Sequence, residues 1–274
     1  MLAASYAKIN LFLEVTGKLA NNYHQVNTVF SSIDLCDYIS YNTTDKPEIA
    51  IDSSDSSLAG KANLMFRVAE FLQQHYCRDK GVKINLEKHI PVAAGLGGGS
   101  SNAANSIIAL NELWQLELGK STLHEIAASF GSDLNFFLEG GTAQGSNRGE
   151  QIQPLPNIKI DRILLVNPKI PILSSEAYRL MTIPDNSELR RFDPRDLGGT
   201  CFNRLELGIR LAYNQIDQLI RTIKSYGASV AMLSGSGSTC FGFFDDQEAL
   251  LACKAYFVDR GYWTRETRTI FPQA

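Results

Sequence analysis

The sequence predicts an α+β protein in two parts, and three observations carry that reading. Segments that alternate apolar and polar residues at period two recur in both halves, as strands with one buried face do. Between them lie stretches with apolar residues at helical spacing, and the strands and helices together suit packed α+β layers. A glycine-rich run then joins one patterned strand to one patterned helix: Pro91-Val92-Ala93-Ala94-Gly95-Leu96-Gly97-Gly98-Gly99-Ser100-Ser101-Asn102-Ala103-Ala104.

In chain order, Ile9, Leu11, Leu13 and Val15 alternate with Lys8, Asn10, Phe12 and Glu14. Alternation puts Lys8 and Asn10 on the same face of one strand, so the two suit either a solvated face or a shared site. A turn at Asn21-Asn22 leads to Tyr23-His24 and to two extended segments, Val26 to Ile33 and Asp37 to Tyr41. A helix carrying Leu64, Val68, Phe71, Leu72 and His75 on one stripe follows, then a strand over Val82 to Glu87. Beyond the glycine run, Ile107, Ile108, Leu110, Leu113 and Trp114 mark a helix from Ala103 to Leu116, and Leu123 to Phe130 a further one.

The domain boundary is expected after Pro154-Leu155-Pro156, dividing the chain into 1–156 and 157–274. The second part reads as a strand at Arg162 to Asn167, a long helix over Asn203 to Tyr226, and strands at Ser229 to Leu233 and Thr239 to Phe244. A helix at Gln247 to Val258 and a strand at Trp263 to Arg268 complete it. Between the middle strands lies Ser234-Gly235-Ser236-Gly237-Ser238-Thr239, which suits a flexible hairpin or a second functional loop.

With 274 residues, 44% hydrophobic and 20% charged, the chain has ordinary globular composition. A net charge of −3 leaves no basic footprint for nucleic acid, and no apolar run reaches membrane-spanning length. Small soluble ligands are the expected partners, with the chain a monomer or homodimer. From Met1 the sequence enters a patterned strand without a basic-then-apolar leader, so a cytoplasmic location is expected. Cys36, Cys77, Cys201, Cys240 and Cys253 are scattered, without metal-site spacing, and read as reduced packing residues.

The glycine run carries the chemistry. Four glycines in five positions, Gly95 to Gly99, let backbone N–H groups approach a ligand closely. A helix expected to start at Ser100 or Ser101 adds its positive dipole end. An anion should dock there. The Walker pattern fails because Gly99 is followed by Ser100 and not by Lys, and the dinucleotide fingerprint fails because Ser100 stands where glycine is required.

This run, with Pro91, small residues, Gly95-Leu96-Gly97 and the Ser100-Ser101 pair, resembles the loop of the GHMP kinase superfamily. Ala7-Lys8-Ile9-Asn10-Leu11-Phe12-Leu13 and Tyr23-His24 resemble the opening of the 4-diphosphocytidyl-2-C-methyl-D-erythritol (CDP-methylerythritol) kinases of the non-mevalonate isoprenoid route. The likeness continues through Gly131-Ser132-Asp133-Leu134-Asn135, Arg148-Gly149-Glu150, Asn203-Arg204-Leu205-Glu206 and Leu233 to Thr239. Three residues depart from the usual pattern. Asn22 and Asn147 stand where glycine is usual, and Asn tolerates positive φ well; Asn135 replaces a proline whose fixed φ would stiffen the segment.

The resemblance implies a two-domain GHMP kinase architecture, with an N-terminal domain like ribosomal protein S5 domain 2 and a ferredoxin-like C-terminal domain. It implies ATP-dependent phosphorylation of the substrate's 2-hydroxyl, with Mg²⁺ accompanying ATP. Pro91, Ala94, Gly95, Leu96, Gly97, Gly98, Gly99, Ser100 and Ser101 would hold the phosphates, and Asn63 and Lys88 would flank adenine. Asp133 alone suits a helix cap as well as a catalyst; the resemblance makes it the base, with Lys8 offsetting charge. Asn10, Tyr23, His24 and Tyr178 would bind the substrate, and Gly235, Ser236 and Gly237 would lie near the site. The metal ligands are unassigned beyond Ser100 or Ser101 as candidates. A mevalonate or homoserine kinase would share the loop without the Tyr23, His24 and Tyr178 set, and a non-catalytic nucleotide-binding module would not need Lys8 with Asp133.

Overall fold

The structure is a computed structural model that describes residues 1–20, 23–185 and 189–271. It forms two compact units, one of Met1–Ala7, Leu35–Val92 and Gly97–Glu139, the other of Lys8–Asp34, Ala93–Leu96 and Gly140–Ala274. These units interleave along the chain and do not divide at residue 156. The reason is that two long strands, β1 (Leu2–Lys18) and β2 (His24–Thr44), each contribute to both.

In the first unit, β3 (Ile49–Ser53) runs parallel to β4 (Gly81–Glu87), which pairs antiparallel with the end of β2 from Tyr38↔Glu87 to Thr44↔Gly81. The helices of this unit are α1 (Leu64–Tyr76), α2 (Gly98–Leu113), α3 (Lys120–Phe130) and α4 (Leu134–Glu139). They share one apolar core with the strands, in which Ile39, Ile84, Met65, Leu72, Ile107 and Leu110 are fully or almost fully buried. Each such side chain stabilises the fold by roughly 1.5–3 kcal/mol. Asn63 starts α1 by accepting a hydrogen bond from the Met65 N–H.

The two extended segments expected at Val26 to Ile33 and Asp37 to Tyr41 form a single strand, β2. The polar stretch between them does not break it, because Asp34 accepts a hydrogen bond from Thr267 and Asp37 is buried with its oxygens occupied. The Asn21-Asn22 turn lies outside the described residues.

In the second unit, β5 (Thr142–Ser146) and β6 (Gln151–Pro154) form a hairpin, and β5 pairs antiparallel with β2 from Thr28↔Gly145 to Ser31↔Thr142. The hairpin turn has left-handed φ at Asn147 (62°) and Gly149 (108°), so Asn147 adopts the conformation its glycine-like position requires. Next come β7 (Ile163–Asn167), α5 (Ser174–Arg179), α6 (Leu197–Thr200) and β8 (Phe202–Asn203), which lies parallel to β1 at Phe12↔Phe202. The chain ends with α7 (Arg204–Ala212), α8 (Asn214–Ser225), β9 (Val230–Leu233), β10 (Cys240–Phe243), α9 (Gln247–Val258) and β11 (Trp263–Thr267). Strands β11-β7-β10-β9 make a sheet with antiparallel neighbours, on which Ile216, Leu219, Ile223, Leu250 and Phe257 pack.

The single helix expected from Asn203 to Tyr226 is two. Tyr213 leaves helical geometry (φ −124°, ψ 85°), and its hydroxyl donates to Glu176 at 2.8 Å. Apolar spacing runs through the break from Ile209 to Ile216, which is why the pattern alone reads as continuous. All five cysteines are free thiols, and burial pushes the Cys201 and Cys253 pKa values up to about 12, away from thiolate reactivity.

Candidate active site

In the second unit the polar face of β1 is not solvated. Lys8 and Asn10 are buried, and Lys8 Nζ donates to Asn10 Oδ1 at 2.6 Å. The Asn10 amide donates on to Thr28 Oγ1 (2.8 Å), which donates to the Phe12 carbonyl (2.7 Å). The Lys8 ammonium also lies 5.4 Å from the Phe30 ring centroid. These bonds fix where the cation stands.

The first half of the glycine run, Ala93–Leu96, packs within the same unit. Lys8 N–H donates to the Leu96 carbonyl (3.0 Å), Thr239 N–H to the Ala94 carbonyl (3.2 Å) and Ser234 Oγ to the Gly95 carbonyl (3.0 Å). Gly95 has φ 75°, and a Cβ there would meet the Ser234 carbonyl oxygen at 2.1 Å, so only glycine allows this approach. Gly235, with φ 54°, backs onto the Lys8 pair: a Cβ on it would lie 3.1 Å from Asn10 Oδ1 and 3.3 Å from Lys8 Nζ. Gly235 thus lies beside Lys8 and Asn10, and Ser236 Oγ shares a hydrogen bond with Ser174 Oγ (3.1 Å).

Left-handed φ recurs at Ala93 (52°), Gly95 (75°) and Gly97 (70°), a backbone pattern of the kind that builds anion-binding concavities. In the first unit, α2 opens at Gly98, two or three residues before the expected start at Ser100 or Ser101, with Gly97 as its cap. The left-handed Gly97 turns the chain into the helix, so both serines fall within its first turn. They differ in role. Ser101 is buried, its hydroxyl donating to the Tyr6 carbonyl (2.6 Å) and bonding Ser5 Oγ (2.8 Å), whereas Ser100 and Gly99 are partly or fully exposed.

Also in the first unit, Asp133 is half-buried immediately before α4, and Asn135 is buried within that helix. Asn63 uses its side chain to cap α1 and to donate to the Leu58 carbonyl (2.8 Å). Lys88 forms a buried ion pair with Asp37 at 2.5 Å. In the second unit the rings of His24 and Tyr178 stack, centroids 4.7 Å apart and planes 15° from parallel. Tyr23 is exposed and instead lies under the Arg148 guanidinium, 5.2 Å from its ring centroid. The structure therefore brings His24 and Tyr178 together directly. Burial, followed by the charge of Lys18, lowers the His24 pKa and favours neutral imidazole.

The family model for the GHMP kinases N terminal domain matches residues 63–141, and that for the GHMP kinases C terminal domain matches residues 186–260. A 4-diphosphocytidyl-2-C-methyl-D-erythritol kinase from Caldanaerobacter subterraneus subsp. tengcongensis is 36% identical over 273 residues, spanning 94% of this chain and 92% of that protein. This chain belongs to the CDP-methylerythritol kinase family. A crystal structure of 4-(cytidine 5'-diphospho)-2C-methyl-D-erythritol kinase agrees, with TM-score 0.83 and 26% identity over 98% of this chain and all of that one. The Methanococcus jannaschii mevalonate kinase, at 15% identity, TM-score 0.70 and 98% coverage of each chain, shares the fold alone.

As a member of the CDP-methylerythritol kinase family, the chain also shows residues whose roles the sequence did not reveal. Asn203 caps α7 through its Oδ1 and donates its amide to the carbonyls of Leu233 (2.9 Å) and Gly235 (2.7 Å), holding the Ser234–Thr239 loop from behind. Glu206 supports the same loop by accepting from the Leu233 N–H (2.8 Å). Glu14, buried on β1, takes a bidentate bond from Arg204 at 2.7 Å and the N–H groups of Val15 and Arg190. An Asn or Glu at a helix start was the signal available for the first two; nothing local marked Glu14. Among the described residues no group of three His, Cys, Asp or Glu side chains is placed to hold a metal, and no helix is long and apolar enough to cross a membrane.

Proposed function

We propose that this chain transfers the γ-phosphoryl group of ATP to the 2-hydroxyl of 4-diphosphocytidyl-2-C-methyl-D-erythritol, giving the 2-phosphate and ADP in the non-mevalonate isoprenoid precursor route. The observation that carries the reading is the near-full-length match to an enzyme of that name. The buried Lys8–Asn10 pair beside the Ser234–Thr239 loop supports it. The substrate oxygen attacks the γ-phosphorus, the bond to the bridging oxygen of ADP breaks, and the hydroxyl proton passes to the Asp133 carboxylate. Such transfer depends on positioning and charge neutralisation more than on covalent chemistry.

Lys8, fixed by Asn10, offsets charge on the transferred group. The run from Pro91 through Ala94 to Ser101 receives the phosphates, with Ser100 the serine whose hydroxyl serves them, since that of Ser101 is engaged by Tyr6. Asn63 and Lys88 flank the adenine, while Tyr23, His24 and Tyr178 take the cytosine. Mg²⁺ bound with ATP would supply charge neutralisation at the phosphates. Ser100, partly exposed in the first turn of α2, would be its candidate protein ligand. The setting is the cytoplasm, with the chain a monomer or homodimer.

The test is a coupled ADP-release assay run with the cytidyl substrate, mevalonate and homoserine side by side. ADP should appear with the cytidyl compound only. Turnover of mevalonate or homoserine instead would reassign the substrate, and no ADP with any of them would overturn the kinase reading.

A further inference from the structure

Asp37 is a fully buried carboxylate on β2 that the transfer described above does not use. It accepts hydrogen bonds from Lys88 Nζ (2.5 Å), the N–H groups of His89 (2.7 Å) and Ile90 (2.8 Å), and Asn102 Nδ2 (2.9 Å). A carboxylate survives burial only when it is paired and bonded in this way. In sequence its donors bracket the glycine run, Lys88 to Ile90 just before Pro91 and Asn102 in α2. The Asn102 amide also donates to Ser5 Oγ (3.0 Å), which bonds Ser101 Oγ, so the same network reaches the serine pair. At the other end, the Lys88 ammonium lies against the opening of α2, where a Cβ on Gly98 would come 2.8 Å from Nζ.

We propose that Asp37 is a positioning residue for nucleotide binding, holding Lys88, which flanks the adenine, with its ammonium beside the first turn of α2, so that its charge adds to that of the helix terminus that receives the phosphates. The inference rests on the ATP-binding reading above. A helix N-terminus carries about half a positive charge, and a fixed ammonium beside it strengthens the field on an incoming anion. The groups facing Lys88 are Asp37 from β2, Asp55 from the turn before α1, and the neutral Gly98 from α2, while Asn102 bonds the Asp37 carboxylate. Burial pulls the Lys88 pKa down, while Asp37 first and Asp55 second hold it up. Replacing Asp37 by Asn removes the larger support, so Lys88 loses its proton at lower pH than in the parent.

The experiment is calorimetric titration of the whole chain with β,γ-imido ATP, without second substrate, between about pH 6.5 and 9. Asp37→Asn should weaken binding about 10-fold at neutral pH, the scale of a lost hydrogen bond to a charged group. Relative to the parent measured alongside, its binding should weaken further as pH rises. Asp37→Asn added to Lys88→Met should cost no more than about twofold beyond Lys88→Met alone, because both changes act through one pair. If Asp37→Asn does not fold, the double variant, which removes the pair together, and Asn102→Ala, expected to weaken binding by about threefold through loss of its buried hydrogen bonds to Asp37 and Ser5, carry the test. Unchanged affinity and pH dependence in Asp37→Asn, additive losses in the double variant, or, where the single variant does not fold, unchanged binding by Asn102→Ala overturns the inference. A parent that binds no analogue instead refutes the kinase reading on which it rests.

Discussion

Lys8 donates to Asn10 at 2.6 Å across two positions of one strand, and both side chains are buried. A buried ammonium with a preset partner needs little reorganisation when charge develops near it, which is how electrostatic stabilisation of a transition state is built. Gly235 closes the space beside the pair, and Asn203 fixes Gly235 through its carbonyl. The cation is therefore held by its own strand and by a loop more than 200 residues further along the chain.

Asp133→Asn retains shape and removes the carboxylate proposed to accept the hydroxyl proton. It should lower kcat by about 10²-fold or more, the usual scale for a positioned acid or base, while the unfolding midpoint stays near that of the parent. Steady-state turnover within a few-fold of the parent would make Asp133 a helix cap only.

Gly95→Ala places a methyl where the Ser234 carbonyl oxygen stands at 2.1 Å and imposes a left-handed conformation on a residue with a side chain. The conformational cost alone is about 1–2 kcal/mol. Because the clash also displaces the loop, kcat/KM for ATP should fall by about 10²-fold. Denaturant unfolding and ATP titration of the purified variant check both parts, and a variant that matches the parent in each would mean that the loop approach is not needed.

Tyr178→Ala removes one ring of the His24–Tyr178 stack. Base stacking on an aromatic side chain is worth roughly 1–3 kcal/mol, so KM for the cytidyl substrate should rise by about 5- to 100-fold with KM for ATP nearly unchanged. Paired titrations of the two substrates decide it. Equal losses for both would show that Tyr178 supports the fold and not the base.

Burial raises the Glu206 pKa above its ordinary 4.5, against the lowering effects of the Leu233 N–H and Arg210. The folded state then binds the Glu206 proton more tightly than the unfolded chain. This contribution to stability is fully present below pH 4.5 and is lost as pH rises through the raised value. Urea unfolding across that range should show a downward component with rising pH in the parent that Glu206→Gln lacks. Identical slopes in the two proteins would contradict the assignment.

Sequence alone determined the features written in local periodicity and local chemistry. The glycine run between strand and helix, the stripe of α1 and the bounds of α9 are legible because each depends on neighbours within a turn or a strand repeat. The Tyr23-His24 and Gly131-Ser132-Asp133 motifs carried the family for the same reason. Tertiary structure decided what depends on partners far along the chain. It buried both faces of β1, so that Lys8 and Asn10 became a fixed pair and not a solvated face. It split the expected helix at Tyr213 through Glu176, started α2 at Gly98, and committed Ser101 to Tyr6. The roles of Asp37, Asn203 and Glu14 stayed unread because a buried polar group is stable only once its donors and acceptors are assembled, and those lie up to 190 residues away.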